Sequence, residues 1–69
     1  MGDPRLASRL KEMRTAAGLT QAELAERAGV SRKTVNTVEN GVFVPSTILA
    51  LSLARALGTT VEALFWLAE

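Results

Sequence analysis

Residues 31 to 40, SRKTVNTVEN, carry polar side chains whose types and spacing suit recognition of a partner through hydrogen bonds. On a helix, Val35, Val38 and Glu39 would share one face. The opposite face would combine a cation, amides and a hydroxyl without an acid: Lys33, Asn36, Thr37 and Asn40, with Arg32 at the flank. Arg and Lys donate to guanine O6 and N7, Asn pairs with adenine N6 and N7, and a Thr methyl packs on the thymine methyl. The face therefore matches the edges of DNA bases, although a helix face that only meets water has a similar composition.

The start of this helix departs from the usual charge pattern. Ser31 is a suitable N-cap, which puts Arg32 and Lys33 in the first turn, where the helix dipole opposes each cation by about 0.3–1 kcal/mol. Two other predicted helices begin instead with a Thr-x-x-Glu capping box, at Thr20 and Thr59. A polyanionic partner accounts for the exception, because the two cations attract phosphates that a carboxylate would repel.

Start and stop signals divide the chain into five helices with short connections. Pro4 suits the first position of helix 1, which Gly18 would end. Its apolar stripe would be Leu6, Leu10, Met13 and Ala17. The other helices are predicted at about 20–28, 31–40, 46–57 and 60–68. No stretch alternates apolar and polar residues long enough to predict a strand, so the predicted fold class is all-α.

Residues 20–41 predict a helix-turn-helix unit within a single domain that covers residues 1–69. Two short helices joined by a three- or four-residue turn pack at a steep angle only where small side chains lie between them. Ala25 and Ala28 supply such side chains, and Gly29 supplies a backbone that tolerates positive φ. This arrangement favours the DNA-recognition interpretation of residues 31–40 over the solvated one.

The composition narrows the possible functions. The 69 residues include no cysteine and no histidine, so thiol ligands and the commonest general base are missing, and the serines have no histidine to activate them. We therefore expect that the protein is not an enzyme and that it binds neither a metal nor a cofactor. The net charge is only +1, but residues 1–33 hold seven of the eight Lys and Arg, so an anionic partner would bind that half. We expect a cytoplasmic protein, bacterial, archaeal or phage-encoded, without a membrane span.

The stretch LTQAELAERAGVSRKTVNTVENGVFVPS resembles the phage-repressor/Cro helix-turn-helix family, also called XRE-like. The resemblance runs from RLKEMRTAAGLTQAELA to LARALGTTVEALFWL. It depends on the motif L-T-Q-x-x-L-A, followed by G-V-S and then E-N-G. It implies a compact five-helix, lambda-repressor-like domain that binds double-stranded DNA in transcriptional control, usually as a dimer. Promoter occlusion by a repressor that reads a palindromic operator is the simplest such role.

The resemblance also implies roles for individual residues. Base contacts are expected from Arg32, Lys33, Asn36 and Thr37. Contacts with the DNA backbone are expected from Gln21, Ser31, Thr34, Asn40, Arg9 and Lys11. The last two, or a second protomer, would replace the cations that this family often carries in the loop after E-N-G, which reads Val-Phe-Val here. An ion pair between Arg14 and Glu39 is expected to tie helix 1 to helix 3.

The C-terminal half holds more apolar side chains than one core can bury. Phe43, in the connector after helix 3, is expected to pack back onto the core. A homodimer through helix 5 would use the surplus, with these interface residues: Ile48, Leu51, Leu64, Phe65, Trp66 and Leu67. A cofactor-binding cluster is the weaker interpretation. Three further possibilities stay open: an antitoxin that holds a toxin through helix 5, a restriction–modification controller, and a contact with polymerase.

Overall fold

The computed structural model describes residues 2–68, which form five helices and a two-stranded ribbon. The elements are β1 (Leu6–Ser8), α1 (Leu10–Ala16), α2 (Gln21–Ala28), α3 (Arg32–Glu39), α4 (Thr47–Ala56), α5 (Val61–Leu64) and β2 (Phe65–Leu67). The α2 helix packs against both α3 and α4, and α1 contacts α3. Five helices are therefore confirmed, and the all-α description is only approximate because of the ribbon.

The ribbon replaces the predicted ends of helices 1 and 5. Antiparallel pairing aligns Leu6 with Leu67, Ala7 with Trp66 and Ser8 with Phe65. The prediction of a first helix from Pro4 is wrong, since α1 begins only at Leu10, and the prediction of a helix over 60–68 is wrong after residue 64. Strands of three residues are too short to produce an alternating pattern, so the sequence gives no periodic signal for them.

One apolar core joins all five helices and the ribbon. Its fully buried large side chains are Leu10, Leu24, Val35, Leu53 and Leu64. Phe43, as predicted, packs against this core from the connector after α3. Among residues 2–68, no helix is both long enough and apolar enough to cross a membrane.

The core includes two of the residues assigned from sequence to a dimer interface. Leu64 has no exposed surface and Phe65 is only 7% exposed, because the turn from α5 into β2 points both inward. We correct those two assignments, since neither side chain is free for a partner. The other four side chains are exposed: Ile48, Leu51, Trp66 and Leu67.

Most of the predicted caps are present. The Thr20 hydroxyl accepts a hydrogen bond from the Glu23 backbone N–H, and the Glu23 carboxylate accepts one from the Thr20 N–H, which completes the capping box. These bonds lower the pKa of Glu23. Ser46 caps α4 as predicted. Helix α5 is capped by Thr60 and not by Thr59 as predicted, so its capping box is absent.

Candidate DNA interface

The α2 and α3 helices form the predicted helix-turn-helix. Gly29 ends α2 with φ +73°, a left-handed conformation that lets the Val30 N–H bond back to the Ala25 carbonyl at 2.9 Å. Val30 then packs on the core and Ser31 begins the next helix. Because the turn contains only these few residues, α3 is held at a fixed position against α2.

The N-terminal turn of α3 presents its two cations to solvent. The Ser31 hydroxyl accepts a hydrogen bond from the Thr34 N–H at 3.1 Å, as an N-cap should, and it shares another with the Thr34 hydroxyl at 2.9 Å. Arg32 and Lys33 are exposed, and the turn has no acidic residue. The cations that are unfavourable for the isolated helix are therefore available to an external anion.

Thr37 lies half-buried on the outward side of α3. Its hydroxyl donates to the backbone of its own helix, at 3.0 Å from the Lys33 oxygen and 2.9 Å from the Thr34 oxygen. Since its polar group is already bonded, the methyl group remains for an apolar contact of the kind that a thymine methyl offers.

The predicted ion pair between Arg14 and Glu39 is confirmed. Arg14 Nε lies 2.6 Å from Glu39 Oε2, and a second guanidinium nitrogen lies 3.2 Å from Oε1. The side chains are 10% and 2% exposed, and Arg14 also donates to the Leu19 carbonyl at 2.7 Å. The hydrogen bonds to the carboxylate raise the pKa of Arg14. This bidentate pair fixes the C-terminal end of α3 to α1.

A chain of hydrogen-bonded side-chain amides, which was not predicted from the sequence, extends from this ion pair. Gln21 Nε2 donates to Glu39 Oε1 at 3.0 Å, and Asn36 Nδ2 donates to Gln21 Oε1 at 3.4 Å. Asn40 Nδ2 donates in turn to Asn36 Oδ1 at 3.2 Å. Three residues predicted to contact DNA separately are thus linked to one another and to Glu39.

Arg9 is exposed and has a contact that was not predicted from the sequence. Its guanidinium carbon lies 4.7 Å from the centroid of the Trp66 ring, a cation–π distance that ties it to the ribbon. We therefore group Arg9 with the ribbon surface. Lys11 is exposed on α1, and the loop after α3 presents Val42 and Val44, both about half exposed.

Comparison with known proteins identifies the class to which this arrangement belongs. A family model described as helix-turn-helix matches residues 10–64. An HTH-type transcriptional regulator of Bacillus subtilis named YgzD is 41% identical over 64 residues, 93% of this chain and 97% of that protein. An HTH-type regulator of Methanothermobacter thermautotrophicus is 51% identical over 61 residues, 87% of this chain and 88% of its own length.

Two solved structures have the same fold. The restriction–modification controller protein C.AhdI of Aeromonas hydrophila superposes with a TM-score of 0.76 at 42% identity, over 78% of this chain and 82% of that one. The clp gene regulator ClgR of Corynebacterium glutamicum has a TM-score of 0.74 at 35% identity, over 78% of this chain and 57% of its own. The chain belongs to the XRE-like helix-turn-helix family, and it is a DNA-binding transcriptional regulator.

Proposed function

We propose that the protein is a homodimeric repressor that reads a palindromic operator in the major groove with α3. The observation that carries this proposal is the free cationic start of α3, with Arg32 and Lys33 exposed on a helix held by a buried ion pair. The N-terminal residues of such a helix are those that reach base edges. We place the protein in the cytoplasm and expect no catalytic role.

Within this proposal the outward residues of α3 divide between bases and backbone. Arg32, Lys33, Asn36 and Thr37 contact bases. Ser31, Thr34, Asn40, Gln21 and Lys11 contact phosphates or sugars, which fix the position of the helix without reading sequence. Bases are read through polar groups that still have bonding capacity, and Asn36 retains one donor and one acceptor position beyond its contacts with Gln21 and Asn40.

The exposed apolar surface on α4 and the ribbon supports dimerisation. Ile48 and Leu51 of α4 are 78% and 57% exposed, and the adjacent ribbon residues Trp66 and Leu67 are 41% and 73% exposed. An apolar groove of about 380 Å³ adjoins Leu51 and is lined by residues of the connector, α4, α5 and the ribbon. A standard interface covers about 800 Å² of each partner. The accessible surface of this chain, 4555 Å², is large enough to contain such an interface and still leave α3 uncovered. We propose that a second copy covers this surface.

Charge separation is consistent with that arrangement. The apolar residues of the proposed interface lie in the half of the chain that holds a single cation, Arg55, whereas the other seven Lys and Arg precede residue 34. Arg9, which stacks on Trp66, borders this interface. A two-fold dimer through α4 and the ribbon nevertheless leaves the exposed cations of α3, Arg32 and Lys33, free for DNA. It also presents two copies of α3 about 34–36 Å apart, one turn of B-DNA.

Selection of bound duplexes from a random library tests the DNA part of the proposal. We expect enrichment of a palindrome whose half-sites are centred about 10 base pairs apart. Enrichment of a single, asymmetric half-site would contradict the homodimer. Failure to enrich any sequence would contradict sequence-specific recognition.

Sedimentation of surface variants tests the dimer. Ile48→Asp and Leu67→Asp should each produce monomers, because burial of a carboxylate in an apolar interface is unfavourable. Val42→Asp is the matched control, since Val42 is also an exposed apolar residue but lies in the loop after α3, outside the proposed interface. Equal dimerisation of all three variants would place the interface elsewhere.

A restriction–modification controller is a second candidate, which the similarity to C.AhdI favours. It requires the same DNA chemistry and differs only in the genes controlled. Selection from fragments of the source genome distinguishes it, because a controller would enrich a site upstream of a restriction or modification gene. Enrichment only at unrelated promoters would exclude this role.

A further inference from the structure

The hydrogen bonds from Glu39 to Asn40 run in one direction through three amides. Gln21 donates to Glu39, Asn36 donates to Gln21, and Asn40 donates to Asn36. An amide has a donor end and an acceptor end, so it can turn over and exchange them. The direction of the whole chain therefore depends on whichever group cannot turn over.

That group is the carboxylate of Glu39. An ionised carboxylate only accepts hydrogen bonds, and Arg14 holds this one in place while its side chain is 2% exposed. Gln21 must consequently present its nitrogen to Glu39, which turns its oxygen toward Asn36. Asn36 must in turn present its nitrogen to Gln21, and its oxygen faces the Asn40 amide.

We propose that Gln21 is a positioning residue for base recognition, which fixes the orientation of the Asn36 amide through the buried ion pair. With the nitrogen held toward α2 and the oxygen toward Asn40, Asn36 offers its remaining donor and acceptor to a base in one order only. An adenine presents an acceptor and a donor in the major groove, so the order decides which base fits. This inference rests on the proposed reading of DNA by α3.

A positioning role and a phosphate contact predict different effects on DNA binding when Gln21 is replaced. A residue that contacts only phosphate weakens binding to all sequences about equally. A residue that orients Asn36 changes the preference at the single base pair that Asn36 reads. Gln21→Met separates the two, because methionine keeps the length of the side chain but neither donates nor accepts strongly.

The experiment compares library selections with the wild-type protein, Gln21→Met, Asn36→Ala and Arg32→Ala. Asn36→Ala identifies the base pair that Asn36 reads, and Arg32→Ala is the matched control that should alter a different one. We expect Gln21→Met to reduce the base preference at the Asn36 position about threefold to tenfold, the effect of one ordinary hydrogen bond on an equilibrium. Preference at the Arg32 position should be retained.

Uniform weakening by Gln21→Met with the Asn36 preference intact would overturn the proposal, as would an Asn36→Ala variant that alters no position. Failure of the wild-type protein to enrich any motif would instead overturn the proposed function. A second measurement needs no DNA. In the free protein, Gln21→Met should shift the side-chain amide resonances of Asn36 in an ¹⁵N spectrum, and unchanged resonances would also refute the positioning role.

Discussion

Removal of the buried carboxylate in Glu39→Ala should strongly destabilise the fold. The substitution leaves the Arg14 guanidinium, 10% exposed, with the Leu19 carbonyl as its one remaining protein acceptor among residues 2–68. An uncompensated buried charge of this kind costs about 3–5 kcal/mol. At about 0.05–0.15 kcal/mol per residue, a chain of 69 residues has a total free energy of unfolding of about 3–10 kcal/mol. The single variant should therefore lose a large part of its stability.

The double variant Arg14→Met/Glu39→Leu should be more stable than Glu39→Ala. It removes both charges and retains most of the buried volume, so the main remaining cost that Glu39→Ala does not share is the unpaired Leu19 carbonyl, about 1–3 kcal/mol. The Gln21 amide loses its acceptor Glu39 in both variants, so this loss does not distinguish them. Urea unfolding followed by far-ultraviolet circular dichroism, at one fixed protein concentration, measures each difference. The exposed pair Asp3–Arg5 is the control, and its loss should matter far less.

Two results would refute this reasoning. If Glu39→Ala were no less stable than the double variant, the penalty would not come from a stranded charge. If Asp3→Ala were as destabilising as Glu39→Ala, burial would not distinguish the two pairs.

Four further outcomes follow from the structure. Arg32→Ala should weaken binding by about 1–3 kcal/mol and relax specificity at one base pair, measured over a panel of operator variants; uniform weakening would make Arg32 a phosphate contact. Gly29→Ala should cost about 1–2 kcal/mol in urea unfolding, because φ is +73° and no neighbour lies near the added Cβ, so the cost is backbone strain alone. Thr20→Ala should cost about 1 kcal/mol through loss of the N-cap of α2. Hydrogen bonds with Arg5 lower the pKa of Asp3 from 3.8 to about 2. The contribution of this pair to the free energy of unfolding should therefore be present above pH 3.8 and be lost as the pH falls through 2, and an NMR titration of the Asp3 carboxyl carbon would follow the change.

The sequence predicted the central helices because their ends carry specific signals. Thr20, Ser31 and Ser46 cap α2, α3 and α4, and Gly29 ends α2, as predicted. Leu6 was wrongly predicted to lie in helix 1, for a physical reason. It lies at helical spacing from Leu10, but it reaches the same core from a strand, because any element that packs on the core needs an apolar residue there.

The sequence predicted which residues form the site, but only part of how they are arranged in space. The outward face of α3 follows from helical periodicity, and the ion pair of Arg14 with Glu39 followed from the family motif. The links from Gln21 to Asn36 and Asn40 could not be predicted, because hydrogen bonds between amides depend on rotamers and on which end of each amide faces its neighbour. Stacking of Arg9 on Trp66 likewise depends on the ribbon, which was not predicted.

The ribbon has a consequence for how the chain folds and assembles. Its strands pair Leu6 with Leu67, so nearly the whole chain must be closed into a loop before the first of these hydrogen bonds can form. We expect such pairing to form after the local helical contacts, because closing a loop of this length costs conformational entropy. The ribbon also carries Trp66 and Leu67, which we propose as part of a dimer interface. Dimerisation would then stabilise the last part of the monomer to fold, and dilution would loosen that part first.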